Sequence, residues 1–204
     1  MTRAGLKQMQ KKEAVNPKNT LQLAEISMSQ LIKGNSVDDR DFIARMELAN
    51  TMGFNVLLSD YVRYFSLRSW FRRHTMESIS ILMKASDVSH LFEEDYYDGL
   101  EGRTLEGLGK LFADNTSVIV YPNTVDDKVQ TLAEVEFPER FELIAKQLMR
   151  NNKLVASEGH DDSLIDISAR KVMESIQAGN PDWESHLEGA VVEKIKSEKL
   201  FGYK

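Results

Sequence analysis

The sequence predicts an α/β fold: a small parallel sheet of three or four strands flanked by helices, with a helical N-terminal segment. Short apolar runs suited to covered strands recur at residues 54–58, 78–83 and 117–121. Longer stretches of helical period alternate with them, the pattern that produces parallel sheets. The composition, 42% hydrophobic and 28% charged over 204 residues, is that of an ordinary globular chain. A chain of this length buries roughly two-thirds of the surface its unfolded form exposes. Disorder, collagen-like structure and a disulfide scaffold are excluded.

The first third reads as helix. Leu21, Ala24, Met28 and Leu31 recur at helical spacing, and Gly34 is placed to end that helix in a left-handed cap. Ser36 with Asp39 three residues on has the form of a capping box. Phe42, Ile43, Met46 and Ala49 then supply an apolar face that ends at Gly53. Residues 1–53 are expected to form a helical segment packed on an α/β domain of residues 54–204, the two making one structural unit.

From Gly53 the pattern changes. Residues 54–58 form a strand bounded by Gly53 and the pair Ser59-Asp60, and Asp60 is placed to cap a helix from Tyr61 to His74. With the strand at 78–83 this makes one βαβ unit with a right-handed crossover. Helices are expected over 87–97 and 100–112, then the third strand, which Pro122 breaks. Residues 123–137 are polar, lack clear periodicity and read as a loop or mobile segment. Pro138 suits the first turn of a helix carrying Phe141, Ile144, Ala145 and Leu148. Residues 153–156 form a short fourth strand. Ile165, Ala169, Val172 and Ile176 mark a helix ended by Gly179, and Pro181 opens a last one with Leu187, Val191 and Ile195 inward.

The chain has 26 basic and 32 acidic side chains, a net charge of −6. That balance argues against a coat for nucleic acid or anionic membrane. The absence of cysteine excludes disulfides, thiolate metal sites and cysteine nucleophiles. No window reaches 18 apolar residues, so no spanning helix is expected. The basic stretch from Met1 to Lys12 has no apolar region behind it and is not a secretory signal. A cytoplasmic protein is the expectation.

Ligands of open parallel sheets bind beyond the carboxyl ends of the strands. Those ends carry Ser59-Asp60-Tyr61, Lys84-Ala85-Ser86 and Tyr121-Pro122-Asn123. Hydroxyls and backbone N–H groups at helix starts favour an anion such as phosphate, and Lys84 adds a positive charge. Ser59, Asp60, Lys84, Ser86, Tyr121 and Asn123 are therefore candidate ligand-binding residues for a nucleotide or another phosphate-bearing small molecule. The plainer alternative is that the Ser and Asp residues only cap helices.

Other patterns are ambiguous. Arg63, Arg68, Arg72, Arg73 and His74 interleave with Tyr61, Tyr64, Phe65, Trp70 and Phe71. Such a helix either meets an acidic partner, a missing domain or nucleic acid, or buries the aromatics and leaves the arginines solvated; the second suits an acidic chain better. The acidic groups Glu93-Glu94-Asp95 with Asp98, and Asp126-Asp127, read as solvated faces, and no metal is expected. His160 beside Asp161 offers a base oriented by a carboxylate; a loop histidine next to helix-capping aspartates is the commoner arrangement. The glycines from Gly99 to Gly109 match neither the dinucleotide fingerprint nor the P-loop and read as a turn and a tightly packed helix.

Several stretches together carry a family resemblance. They are residues 41–59, with Ala49-Asn50-Thr51-Met52-Gly53 leading into Val56-Leu57-Leu58-Ser59, and Tyr96-Tyr97 with Gly107-Leu108-Gly109-Lys110-Leu111-Phe112. Val120-Tyr121-Pro122 and the ending from Asp182-Trp183-Glu184 to Gly202-Tyr203 belong with them. From about residue 17 onward the chain resembles the C-terminal portion of longer bacterial cytosolic proteins commonly labelled nicotinate-nucleotide adenylyltransferase, some of them labelled TonB-dependent receptor. The resemblance implies nucleotide chemistry and a chain with more sequence, such as a missing N-terminal domain, before Met1. The His-x-Gly-His signature of nucleotidyltransferases is absent, so no catalytic residue is carried over. The alternative function is a non-catalytic interaction or assembly domain, acting through the Tyr61–His74 helix or the first helices and possible as a homo-oligomer.

Overall fold

A computed structural model describes residues 1–13, 16–28, 32–33, 36–37, 39–165 and 167–204. In chain order the elements are α1 (Thr2–Glu13), β1 (Leu23–Ser27), β2 (Ile32–Lys33), β3 (Ser36–Val37), α2 (Asp39–Thr51), β4 (Asn55–Ser59) and α3 (Tyr64–Arg72). There follow β5 (Ile79–Lys84), α4 (Ala85–Val88), α5 (Arg103–Phe112), β6 (Thr116–Tyr121), β7 (Asn123–Val125) and β8 (Lys128–Gln130). The rest are α6 (Glu142–Arg150), β9 (Leu154–Ala156), α7 (Ala169–Ala178) and α8 (Gly189–Glu198), with short 3-10 turns between. The chain is mixed α/β with parallel sheets flanked by helices and a helical N-terminus.

Two compact units share the chain, one of residues 1–18 and 63–166, the other of residues 19–62 and 167–204. These boundaries differ from a division at residue 53.

In the first unit, β5, β6 and β9 form a parallel sheet in that order. Side chains alternate between its faces. Ile81, Met83, Val118, Val120 and Leu154 pack into a core with Leu108, Leu111 and Phe112 of α5 and Ala145 of α6. On α5, a Cβ at Gly107 would overlap the ring of Tyr97, itself fully buried. The glycine is what lets this helix approach so closely. Leu82 points to the opposite face, where α1 lies: a Cβ at Gly5 would overlap its side chain. Buried Gln8 on the same helix donates from Nε2 to the Ala156 carbonyl at 2.9 Å and accepts from the Glu158 N–H at 2.8 Å.

Arg73 is exposed, as expected of a solvated face, but Arg68 and Arg72 are not solvated. Arg68 is 7% exposed and donates to Asp114 Oδ2 at 2.6 Å, to the Ala113 carbonyl at 2.9 Å and to Thr116 Oγ1 at 3.3 Å. Arg72 donates to the carbonyls of Thr75 and Glu77 and to Thr116 Oγ1. Arg63 binds the carbonyls of Asp95 and Tyr96. Carbonyls beyond a helix end and at a strand start have no partner within their own element, and these guanidinium groups supply one.

In the second unit β1 and β4 pair in parallel from Leu23↔Asn55 to Ser27↔Ser59, with α2 as the crossover. A two-residue antiparallel pair joins β2 and β3. Trp183, 1% exposed, centres a core of Ala44, Val172, Ile176, Val191, Val192, Ile195 and Leu200. Ser168 Oγ accepts from the Lys171 N–H at the start of α7, and Gly179 ends that helix at φ 71°.

Several expectations are corrected. The helix expected through Leu21, Ala24, Met28 and Leu31 is replaced over residues 23–27 by β1, because a parallel ladder with β4 satisfies these residues better than helical propensity does. Leu31 and Gly34 lie outside the described residues. Ser36 sits in β3, so it does not head a capping box, and α2 buries Ala44 and Ala49 while Ile43 is 51% exposed. The βαβ unit expected over 54–83 does not form, since β4 pairs with β1 and β5 with β6. Asp60 caps nothing: α3 begins at Tyr64, with Arg63 at its N-cap and no side-chain cap. Residues 87–97 are one short helix and two 3-10 turns, α4 with Ser89–Phe92 and Asp95–Tyr97. The stretch expected as a mobile loop holds the hairpin β7–β8, turned by Asp126 at φ 48° and Asp127 at φ 60°. Positive φ at both central residues is what a type I′ turn requires. Thr131 and Glu134 then form a capping box, and Leu132 and Val135 are buried in the core.

Candidate functional site

The carboxyl edge of the three-stranded sheet collects most of the candidate residues. Lys84 ends β5 and Tyr121 ends β6, and the two are register partners. Val120 partners Ala156, and the Ser157 N–H donates to the Val120 carbonyl at 2.8 Å, which carries the ladder one residue past β9. Lys84, Tyr121 and Ser157 thus form one cross-strand row. By alternation it lies on the face of Leu82, the side of the sheet that α1 covers. Neighbouring strands are 4.7–4.9 Å apart, so the row spans about 10 Å.

Its ends differ in charge. Lys84 is exposed and forms no ion pair among the described residues. Tyr121 is 8% exposed. Burial raises its hydroxyl pKa above the ordinary tyrosine value, the Asp161 N–H bonded to it opposes that, and the charges of Asp161 and Asp162 reinforce it. The His160 ring meets the Tyr121 ring edge-on, with centroids 5.9 Å apart. Its Nε2 lies 3.3 Å from Asp162 Oδ1. Its Nδ1 and the Ser157 hydroxyl are buried and have no hydrogen-bond partner among the described residues.

Asn123 Oδ1 accepts from the Ser86 N–H at 3.0 Å, which ties the end of β6 to the first turn of α4, and Ser86 Oγ donates to Asp87 Oδ1 at 2.9 Å. Lys84, Ser86, Tyr121 and Asn123 are therefore brought together. Ser59 and Asp60 are not on this edge but end β4 in the other unit. There Ser59 is buried, donates to Glu25 Oε1 at 2.5 Å and accepts from the Tyr61 N–H at 3.3 Å, while Asp60 is exposed.

Comparison with protein-family models, curated proteins and solved structures returned no match. The site must therefore be read from its own residues.

The partner of His160 is Asp162, because Asp161 caps the next 3-10 turn through the Ser163 N–H and hydroxyl. Sequence reasoning missed Ser157; the carboxyl-end rule, applied to the fourth strand as it was to the other three, finds it. In the acidic run near residue 94, Glu94 pairs with Arg140 at 2.6 Å and Asp98 with Arg103, and Glu93 Oε1 lies 2.8 Å from His90 Nδ1. A cleft of about 430 Å³ in the other unit is lined by Asp39, Arg40, Ile43, Glu47, Glu198 and Leu200. Its two glutamates both bind Lys194, at 3.0 and 2.7 Å. No helix of the described residues is long and apolar enough to cross a membrane.

Proposed function

We propose that the chain is a nucleotide-related α/β domain of bacterial metabolism that binds its ligand at the carboxyl edge formed by Lys84, Ser86, Tyr121 and Asn123. The observation that carries this reading is Lys84: an exposed cation with no ion pair among the described residues, in register with Tyr121 at the edge where parallel sheets hold ligands. Nicotinate-nucleotide adenylyltransferase activity is the specific form that the family resemblance suggests. Ser59 and Asp60, which end a strand of the other unit, drop out of the proposed site. A docking role for the basic helix would have to proceed without Arg63, Arg68 and Arg72, which donate to carbonyls and a carboxylate inside their own unit.

The test is a melting-temperature panel with ATP, nicotinate mononucleotide, nicotinamide mononucleotide and NAD, with and without magnesium. A ligand at a hundred times its dissociation constant adds about 2.7 kcal/mol, roughly 5 to 10 °C for a chain of this size. A shift that Lys84→Ala reduces supports the reading. No shift with any of the four overturns it.

A further inference from the structure

Asp39, Ile43 and Glu47 recur every four residues of α2 and so share one face of the helix. All three line the cleft of the second unit, which opens between α2 and the end of α8. At 1.5 Å per residue the two acids stand about 12 Å apart along the helix axis. Ile43 lies between them and is 51% exposed although it is apolar. Ala44 and Leu200, both buried, form an apolar floor. The open volume of about 430 Å³ lies within the range of small-molecule sites. An acid, an exposed aliphatic side chain and a second acid in line complement a long aliphatic chain with a cation at each end. We propose that this cleft binds a linear aliphatic polyamine, laid along α2 with its terminal ammonium groups at Asp39 and Glu47. The proposal is independent of the nucleotide reading, which concerns the other unit.

The glutamates of the cleft already hold one ammonium. Lys194 Nζ lies 2.7 Å from Glu198 Oε1 and 3.0 Å from Glu47 Oε2, and the bonds to Glu198 and then Glu47 raise its pKa above the ordinary lysine value. Each of these carboxylates is 43% exposed and can accept more than one bond. Asp39 is exposed and forms no ion pair among the described residues. Three carboxylates therefore face two cations, Lys194 and Arg40, whose Nη2 lies 3.5 Å from the Lys199 carbonyl. The surplus is negative, the sign that attracts a further cation. Length then selects among amines. A chain with nine bonds between its terminal nitrogens spans about 11 Å when extended, close to the spacing of Asp39 and Glu47. A chain of five bonds spans about 6 Å and reaches only one of them.

The experiment titrates spermidine, 1,8-diaminooctane, 1,4-diaminobutane and 1-aminohexane calorimetrically into the full chain at fixed ionic strength. Spermidine and 1,8-diaminooctane, each with nine bonds, are expected to bind more tightly than the short diamine and the monoamine. The gain is about two- to fivefold, the worth of one exposed ion pair. Asp39→Asn, a change at an exposed position, removes that gain. Ile43→Ser weakens 1,8-diaminooctane more than 1,4-diaminobutane, because it takes away the apolar contact along the chain. Arg40→Gln, which removes a cation from the cleft, tightens the long amines. Equal affinity for all four amines, an unchanged preference for the long ones in Asp39→Asn, or weaker binding in Arg40→Gln overturns the proposal. So does the failure of 1,8-diaminooctane to bind the wild-type chain at millimolar concentration.

Discussion

Arg68 Nη2 lies 2.6 Å from Asp114 Oδ2, with the arginine side chain 8% exposed and the carboxylate 49% exposed. The pair ties α3 to the turn between α5 and β6, and Arg72 leans on the same carboxylate at 3.7 Å. What looks in sequence like a basic surface is a clamp inside the first unit. Lys153 adds to it by donating to the Asp114 carbonyl.

Removing the carboxylate leaves a buried guanidinium without its anion. Asp114→Ala is expected to destabilise the protein by about 1 to 3 kcal/mol, below the full figure for a buried pair because one partner is half exposed. Arg68→Glu should do more damage, placing an acid beside an acid. Urea denaturation measures both. Size-exclusion chromatography should show the oligomeric state of folded Asp114→Ala unchanged, the opposite of what a docking role for these residues requires.

Tyr97 gives a pH prediction. Burial pushes its hydroxyl pKa well above the ordinary value of 10, the neighbouring Tyr96 adds to the shift and Arg63 opposes it. The folded chain therefore holds this proton more tightly than the unfolded chain does. The stability this contributes is fully present below about pH 10 and is lost as pH rises toward the folded-state value, by about 1.4 kcal/mol per pH unit while the two states differ by one proton. Tyr97→Phe removes that slope. It also removes the bond to the Leu91 carbonyl at 2.7 Å, so the variant starts about 1 kcal/mol lower at neutral pH and declines less steeply in alkali. Denaturant midpoints from pH 7 to 11 would show this as converging curves.

Strands were easier to read than their pairing. The runs at 54–58, 78–83, 117–121 and 153–156 each fall within a residue or so of an observed strand, because uninterrupted apolar stretches mark covered strands locally. Leu23–Ser27 escaped because Leu21, Ala24 and Met28 also fit a helical period, and only the distant partner β4 decides between the two. The hairpin escaped because the three-residue strands Asn-Thr-Val and Lys-Val-Gln show no apolar period, and its turn is Asp-Asp where Asn-Gly is the usual signal. Arginine burial depends on Asp114, 46 residues from Arg68, and no local pattern reports it. The carboxyl-end rule brought Lys84, Ser86, Tyr121 and Asn123 to one edge, yet the same rule also selected Ser59, whose strand belongs to another sheet.

The hairpin turn carries a simple stability test. Asp127 at φ 60° holds a left-handed conformation that glycine adopts without steric cost. Asp127→Gly is expected to stabilise the protein by about 0.5 to 1 kcal/mol, the gain from relieved strain exceeding the extra chain entropy of glycine. A melting-temperature rise of about 1 to 4 °C reports it.

Gln8 connects the fold to the proposed site. Its amide bridges the Ala156 carbonyl and the Glu158 N–H, the two backbone groups that flank Ser157. An apolar replacement removes the partner of the Ala156 carbonyl and the Glu158 N–H, both part-buried, where β9 turns toward His160. Gln8→Leu is therefore expected to cost about 1 to 2 kcal/mol and to loosen the segment from Ser157 to Asp162 before the rest of the unit. Amide hydrogen exchange should show faster exchange at Ser157 and Glu158 than in the β5–β6 ladder. Equally fast exchange in the β5–β6 ladder would mean that α1 supports the whole sheet and not only its β9 end.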